Sequence, residues 1–106
     1  GLKTGTFTAD VRYTTAANNH VTVYKIGRVV TMSGYMTPTY NVPAYETVGI
    51  LSEGYCPLMG ISFLAIPSDQ SGTPVWVFIS TNGNVGAQGV PLTAGKTYYF
   101  TTTFLA

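Results

Sequence analysis

The side-chain pattern of this chain repeats every two residues, and nowhere every 3.6. No segment places apolar residues at i, i+3, i+4 and i+7, the spacing an amphipathic helix needs. Strict alternation is plain near both ends. Phe7, Ala9, Val11 and Tyr13 interleave with Thr6, Thr8, Asp10 and Arg12, and Tyr98, Phe100, Thr102 and Phe104 interleave with Tyr99, Thr101, Thr103 and Leu105. Successive side chains of a strand point to opposite faces, so each run reads as a half-buried strand. Thr is the most frequent residue, and Val and Tyr are plentiful; all three favour strands.

Gly, Pro and Asn cut this pattern into short pieces. Strands are predicted at 6–14, 20–26, 28–36, 47–51, 58–66, 75–81, 85–89 and 96–105. Gly27 turns a hairpin, and Asn82-Gly83 is the strongest hairpin signal of the chain. Gly34 inside a strand indicates a bulge or a close backbone approach. Residues 37–45 and 67–74, each with two prolines, read as surface loops. About eight strands with turns roughly every 8–12 residues predict an all-β, antiparallel sandwich or jelly-roll-like barrel, its first and last strands pairing to close the edge. At 106 residues there is room for one domain, 1–106. A chain opening on Gly1 reads as a fragment of a longer protein, with no apolar signal segment at its start. The segment 58–66 is almost wholly apolar, which predicts burial on both faces, under a second sheet or a neighbouring subunit.

Charge narrows the function. Only 8% of residues are charged, with net charge +1 and no basic run. Nucleic-acid binding needs clustered Lys and Arg to neutralise phosphates, so it is not expected. No apolar run is long enough to insert through a membrane as a helix. The carboxylates Asp10, Glu46, Glu53 and Asp69 show no paired-acid spacing, so no catalytic residue is assigned and the chain is expected not to be an enzyme. One His and one Cys give no metal-ligand spacing; Asp69 with Ser68 and Gln70 would be a weak Ca²⁺ loop. No metal and no cofactor is expected. Cys56 reads as a small, part-buried apolar residue; a reactive Cys56 would need His20 beside it in space.

What remains is surface chemistry. Aromatic rings with polar edges suit sugar rings, which have apolar C–H faces and hydroxyl rims. Trp76 is the sharpest candidate. It shares a face with Phe78, opposite Val75, Val77 and Ile79. That second face can be another core layer, a subunit interface or a ligand platform. Tyr40 and Tyr45 read as loop-packing residues or ligand contacts. His20, Arg12 and Asp69 read as solvated or ion-paired residues that can also serve a ligand. So few charges leave apolar surface that a homo-oligomer would cover.

Four segments carry a resemblance: Gly27-Arg-Val-Val-Thr-Met-Ser-Gly34, Ile50-Leu-Ser-Glu-Gly-Tyr-Cys-Pro57, Ile79-Ser-Thr-Asn-Gly-Asn-Val85 and Gly95-Lys-Thr-Tyr-Tyr-Phe100. Their order and spacing over residues 20–100 resemble the C-terminal head domains of receptor-binding and fibre proteins of tailed bacteriophages. Ser52 and Cys56 depart from that pattern, where Pro and Arg are usual. The resemblance implies a homotrimeric β head, displayed on the virion surface as a tail tip or capsid fibre, that recognises host cell-wall saccharide. It also leaves open a trimerising or capsid-decorating tip with no sugar ligand. A trimeric jelly roll of the complement and tumour-necrosis type fits the Glu-Gly-Tyr-x-Pro turn less well. No binding residue transfers by motif, so Trp76, Tyr40, Tyr45, His20, Asp69 and Arg12 stand as candidates on their chemistry alone.

Overall fold

A computed structural model describes residues 1–69 and 72–106. Nine strands follow one another: β1 (Leu2–Gly5), β2 (Phe7–Ala9), β3 (Asn19–Ile26), β4 (Val29–Met36), β5 (Thr47–Leu51), β6 (Ile61–Pro67), β7 (Val75–Ile79), β8 (Asn84–Ala87) and β9 (Tyr98–Leu105). A single 3-10 turn, Ala16–Asn18, is the only helix among the described residues. The fold is all-β, as the alternation predicts.

In space the order is β1-β3-β4-β9-β6-β7-β8-β5-β2, each strand antiparallel to its neighbours. β6 is the corner strand. Ile61 to Ala65 pair with β7, whereas Ile66 and Pro67 pair with Tyr99 and Tyr98 of β9. The two end strands, β1 and β2, are consecutive in the chain and separated only by Thr6. The sheet therefore curls until its ends meet, giving a nearly closed barrel. Where the two ends join, Ser52 extends the β2–β5 ladder to Thr6: Thr6 N–H donates to Ser52 Oγ and Ser52 N–H to Thr6 O, both at 3.0 Å.

This closure corrects two expectations. The first and last strands do not pair; β9 lies between β4 and β6, and β1 pairs with β3. The segment 6–14 is not one strand either. It follows β1, which the alternation missed, and its strand stops at Ala9. There Asp10 Oδ1 accepts the N–H of Arg12 at 3.0 Å, and Asp10 O accepts the N–H groups of Tyr13 and Thr14. Such Asp-centred turns draw the backbone away from a sheet ladder.

The core follows the alternation elsewhere. Val23, Val30, Met32, Phe63, Ala65, Val77, Ile79, Tyr98, Phe100 and Phe104 point inward and are buried. Phe63 of β6 and Phe100 of the neighbouring β9 meet inside the barrel with ring centroids 5.6 Å apart; burying each ring contributes about 1.5–3 kcal/mol. The hairpin between β3 and β4 turns in two residues, Gly27 and Arg28, with Gly27 at φ +59° as such tight loops require. Within the chain β6 buries one face only, so among the described residues no second sheet covers the segment 58–66. Phe63 and Ala65 are buried, but Ser62, Leu64 and Ile66 face out. Its apolar outer face is surface, and that surface organises the site below.

Candidate ligand-binding face

Register decides which outward side chains meet. In an antiparallel pair, residues directly opposite share a face with Cβ atoms about 4.5–5.5 Å apart. His20 of β3 lies opposite Tyr35 of β4, Tyr35 opposite Tyr99 of β9, and Tyr99 opposite Ile66 of β6. Leu64, two residues from Ile66 on the same face, lies opposite Trp76 of β7. These six residues form one band across five strands, four interstrand steps of about 4.8 Å, or roughly 19 Å along the curved surface. The rings are in contact: His20 to Tyr35 is 4.7 Å between centroids at 31°, and Tyr35 to Tyr99 is 5.1 Å at 41°. The apolar members remain open to solvent, with Leu64 44%, Ile66 56%, Trp76 49% and Tyr99 47% exposed.

A groove of about 470 Å³ crosses the middle of the band, lined by Ser33, Tyr35, Leu64, Ile66, Tyr99 and Thr101 over a floor of Gly34 and Phe100. Its origin is topological. β6 stays with β9 for two residue pairs and then diverges to join β7, and the splay leaves the groove. No charged side chain lines it. The hydroxyls of Ser33 and Thr101 bond to each other at 3.0 Å along one side, opposite the aliphatic wall. Aromatic rings, an aliphatic wall and hydroxyls together match the apolar face and hydroxyl rim of a sugar ring.

Next to the band the outer face is uncharged as well. The rows Thr22–Ser33–Thr101 and Thr4–Tyr24–Thr31–Thr103 follow. An aliphatic row, Leu2–Ile26–Val29–Leu105, ends the sheet, with all four residues exposed. Leu58, whose N–H donates to Leu105 O, and Met59 extend that apolar end.

The six candidates from sequence divide. His20 and Trp76 fall in the band, so a second core layer is excluded for Trp76. Tyr45 stands beyond the Trp76 end, with its hydroxyl 4.0 Å from where a Cβ on Gly89 would lie. Arg12 and Tyr40 gather instead around Tyr13: the guanidinium sits 5.2 Å from the Tyr13 ring, and Tyr40 N–H donates to Tyr13 O at 3.4 Å. Arg12 is also bonded to Asp10, with Nη2 to Oδ2 at 2.8 Å. That pairing pushes the guanidinium further up and holds the Asp10 carboxyl below its ordinary value, chiefly through the side-chain hydrogen bond. Asp69 is exposed in the turn after β6, and Gln70, weighed with it as a Ca²⁺ oxygen donor, lies outside the described residues. Cys56 is half-buried, its thiol 3.8 Å from Ser52 O. Among the described residues, no three His, Cys, Asp or Glu side chains gather into a metal-binding group, and no helix is long and apolar enough to cross a membrane.

Sequence reasoning missed Tyr35, Tyr99, Leu64 and Ile66. The phase of β9 already puts Tyr99 opposite the core-facing set. Its partners become visible only when register is known. No family model, curated protein or solved structure matches the chain.

Proposed function

We propose that this chain is a non-catalytic binding module of the phage fibre-head kind, a homotrimer on the virion surface that recognises host cell-wall saccharide through the aromatic band. The groove between the diverging strands β6 and β9 carries this reading. It offers rings, an aliphatic wall and hydroxyls with no charged side chain in its lining, the chemistry suited to a neutral sugar. The resemblance read in residues 20–100 supplies the biological setting. Three shallow sites on one trimer gain strength through effective concentration, so each can be weak.

One observation favours a second reading. The aliphatic row Leu2–Ile26–Val29–Leu105 is exposed and has no polar edges; it suits subunit contact better than sugar. If the aromatic band is subunit contact too, the chain is a trimerising or capsid-decorating tip without a ligand.

Trp76 is the sole tryptophan, so its emission reports on the band alone. The test is a fluorescence titration with neutral linear oligosaccharides, paired with light scattering. A trimer mass and a saturable emission change are expected in wild type, and isothermal titration calorimetry, which needs no tryptophan, should show loss of binding in a still-trimeric Trp76→Ala variant. A Trp76→Ala variant that dissociates would place the band in the interface and overturn the saccharide reading.

A further inference from the structure

We propose that Tyr45 and Trp76 form a second saccharide subsite, beyond the Tyr35–Tyr99 groove, and that the backbone of Tyr45 is held in the left-handed region to present its ring there. The proposal rests on the saccharide reading above and adds an end to the site.

The chain builds the same turn twice. Val42-Pro-Ala-Tyr-Glu-Thr47 and Leu92-Thr-Ala-Gly-Lys-Thr97 occupy matching positions before β5 and β9. Their first residues bridge each other, Val42 N–H to Leu92 O at 2.9 Å and Leu92 N–H to Val42 O at 3.0 Å. Each turn then closes alike, with Glu46 N–H on Pro43 O at 3.1 Å and Lys96 N–H on Thr93 O at 3.2 Å. The residue before the closing donor is left-handed in both: Tyr45 at φ +68° and Gly95 at φ +79°.

Gly95 shows what the turn itself needs, which is a left-handed residue and no side chain. Glycine adopts that conformation without steric cost, whereas a tyrosine there is strained. Tyr45 is the only non-glycine residue with positive φ among those described. Packing does not offset the strain, because the residue is 69% exposed. Strain retained at an exposed aromatic position points to a role for the ring.

The surroundings indicate the role. Tyr45 N–H donates to Ala87 O at 2.6 Å, which fixes the turn against the end of β8. The next residue, Gln88, donates its N–H to Trp76 O at 3.1 Å. The segment 87–89 thus joins the strand of Trp76 to the turn of Tyr45, and the Tyr45 hydroxyl lies 4.0 Å from where a Cβ on Gly89 would stand. The Gln88 side-chain carbonyl accepts from Ser62 Oγ, so its NH₂ end is the one available to donate to a sugar hydroxyl. The amide is anchored on the β6 side of Trp76 and Tyr45 stands on the β8 side; exposed rings and an amide donor together offer the stacking faces and hydrogen bond that a sugar uses. The arrangement continues the line of the band, so it would take the far end of an extended chain whose other end lies in the groove.

The test uses glucose-, rhamnose- and N-acetylglucosamine-based linear oligosaccharides, from disaccharides to octasaccharides, titrated against Trp76 emission. Wild type, Tyr45→Gly and Tyr45→Phe are compared, with a thermal melt and a light-scattering mass for each. Affinity should rise with oligosaccharide length in wild type. Tyr45→Gly should melt higher by about 4 °C and lose about tenfold in affinity for the long oligosaccharides alone. Tyr45→Phe should keep most of that affinity. Unchanged long-chain affinity in Tyr45→Gly would overturn the subsite and leave the groove standing. A lower melting temperature would mean that the ring packs structurally, and a changed mass that it is a subunit contact; either overturns the proposal. If wild type responds to no oligosaccharide, the saccharide reading and this subsite both fail.

Discussion

Gly34 is the residue on which the aromatic band depends most directly, although it contributes no side chain. It sits in β4 opposite Val21 with φ +140°, and a Cβ added there would lie 1.8 Å from His20 O. Carbon and oxygen approach no closer than about 3.3 Å in ordinary contacts. Gly34→Ala must therefore push β3 and β4 apart locally by roughly 1.5 Å, the difference of those two distances. That separation breaks the ladder around the His20–Tyr35 pair. Losing about two ladder bonds at ~1 kcal/mol each, plus ~1–2 kcal/mol of backbone strain, gives a cost of about 3–4 kcal/mol. Gly27→Ala is the matched control, because Gly27 has φ +59° but nothing within 4 Å of the added carbon. It carries the strain alone, about 1–2 kcal/mol. Thermal melts followed by circular dichroism should show Gly34→Ala falling by about 12–16 °C and Gly27→Ala by about 4–8 °C, at ~4 °C per kcal/mol for a domain this size. The first variant should also lose oligosaccharide response, since His20 and Tyr35 no longer stack. Equal melting temperatures for the two variants would refute the close approach, and with it the reason for a glycine in this strand.

Two further outcomes test other parts of the structure. Tyr98 is buried and its hydroxyl accepts the N–H of Thr93 at 2.8 Å, so Tyr98→Phe strands a donor and should cost about 1–2 kcal/mol in chemical denaturation; an unchanged midpoint would mean that Thr93 is satisfied otherwise. The Asp10 carboxyl sits below its ordinary value because of Arg12, so its contribution to folding is present above the unfolded value and is lost as pH falls through the lower folded one. Carbon-detected NMR titration should find the Asp10 midpoint raised toward the ordinary range in Arg12→Ala, and an unmoved midpoint would show that the pair does not form in solution.

Alternation reveals which residues of a strand share a face, and that was enough to place the core. Tyr98, Phe100 and Phe104 were legible because they interleave with Thr101 and Thr103; Val77 and Ile79 were legible as one face, but the all-apolar run of 75–79 left open whether the Trp76 face was core as well. Alternation fails where both faces are apolar. In β6, Ile61, Phe63 and Ala65 differ little in hydropathy from Leu64 and Ile66, so nothing local shows that only one set is covered. It fails again at Thr6, where the polar–apolar rhythm runs on without a break while the backbone crosses from one end of the sheet to the other. That crossing is fixed by Ser52, forty-six residues away in sequence, and no window of neighbouring residues contains it. The missed site residues share this cause. Tyr35, Tyr99 and Ile66 come from three strands, and only the register joins them to one another and to His20.

Two apolar regions remain at opposite ends of the same outer face, and their chemistry differs in a way that bears on function. The row of Leu2, Ile26, Val29 and Leu105 consists of aliphatic side chains alone. Such groups gain from burial in proportion to area and have nothing to offer a hydroxylated ligand. The band at the other end combines aliphatic groups with rings that bear an O–H or N–H at the edge, beside the hydroxyls of Ser33 and Thr101. Covering those polar edges with a protein partner costs desolvation unless each finds a hydrogen bond. A sugar supplies such partners around its rim. Between the two ends, the Thr and Ser rows carry no formal charge, so they neither repel a second copy nor attract an ionic ligand. The proposed division, subunit contact at the aliphatic end and saccharide at the aromatic end, rests on that contrast, and mutations at the two ends should separate accordingly. Leu105→Asp should lower the oligomeric mass and leave per-chain oligosaccharide affinity intact, whereas Tyr99→Ala should do the reverse. Coupled loss of mass and binding in both variants would refute the division.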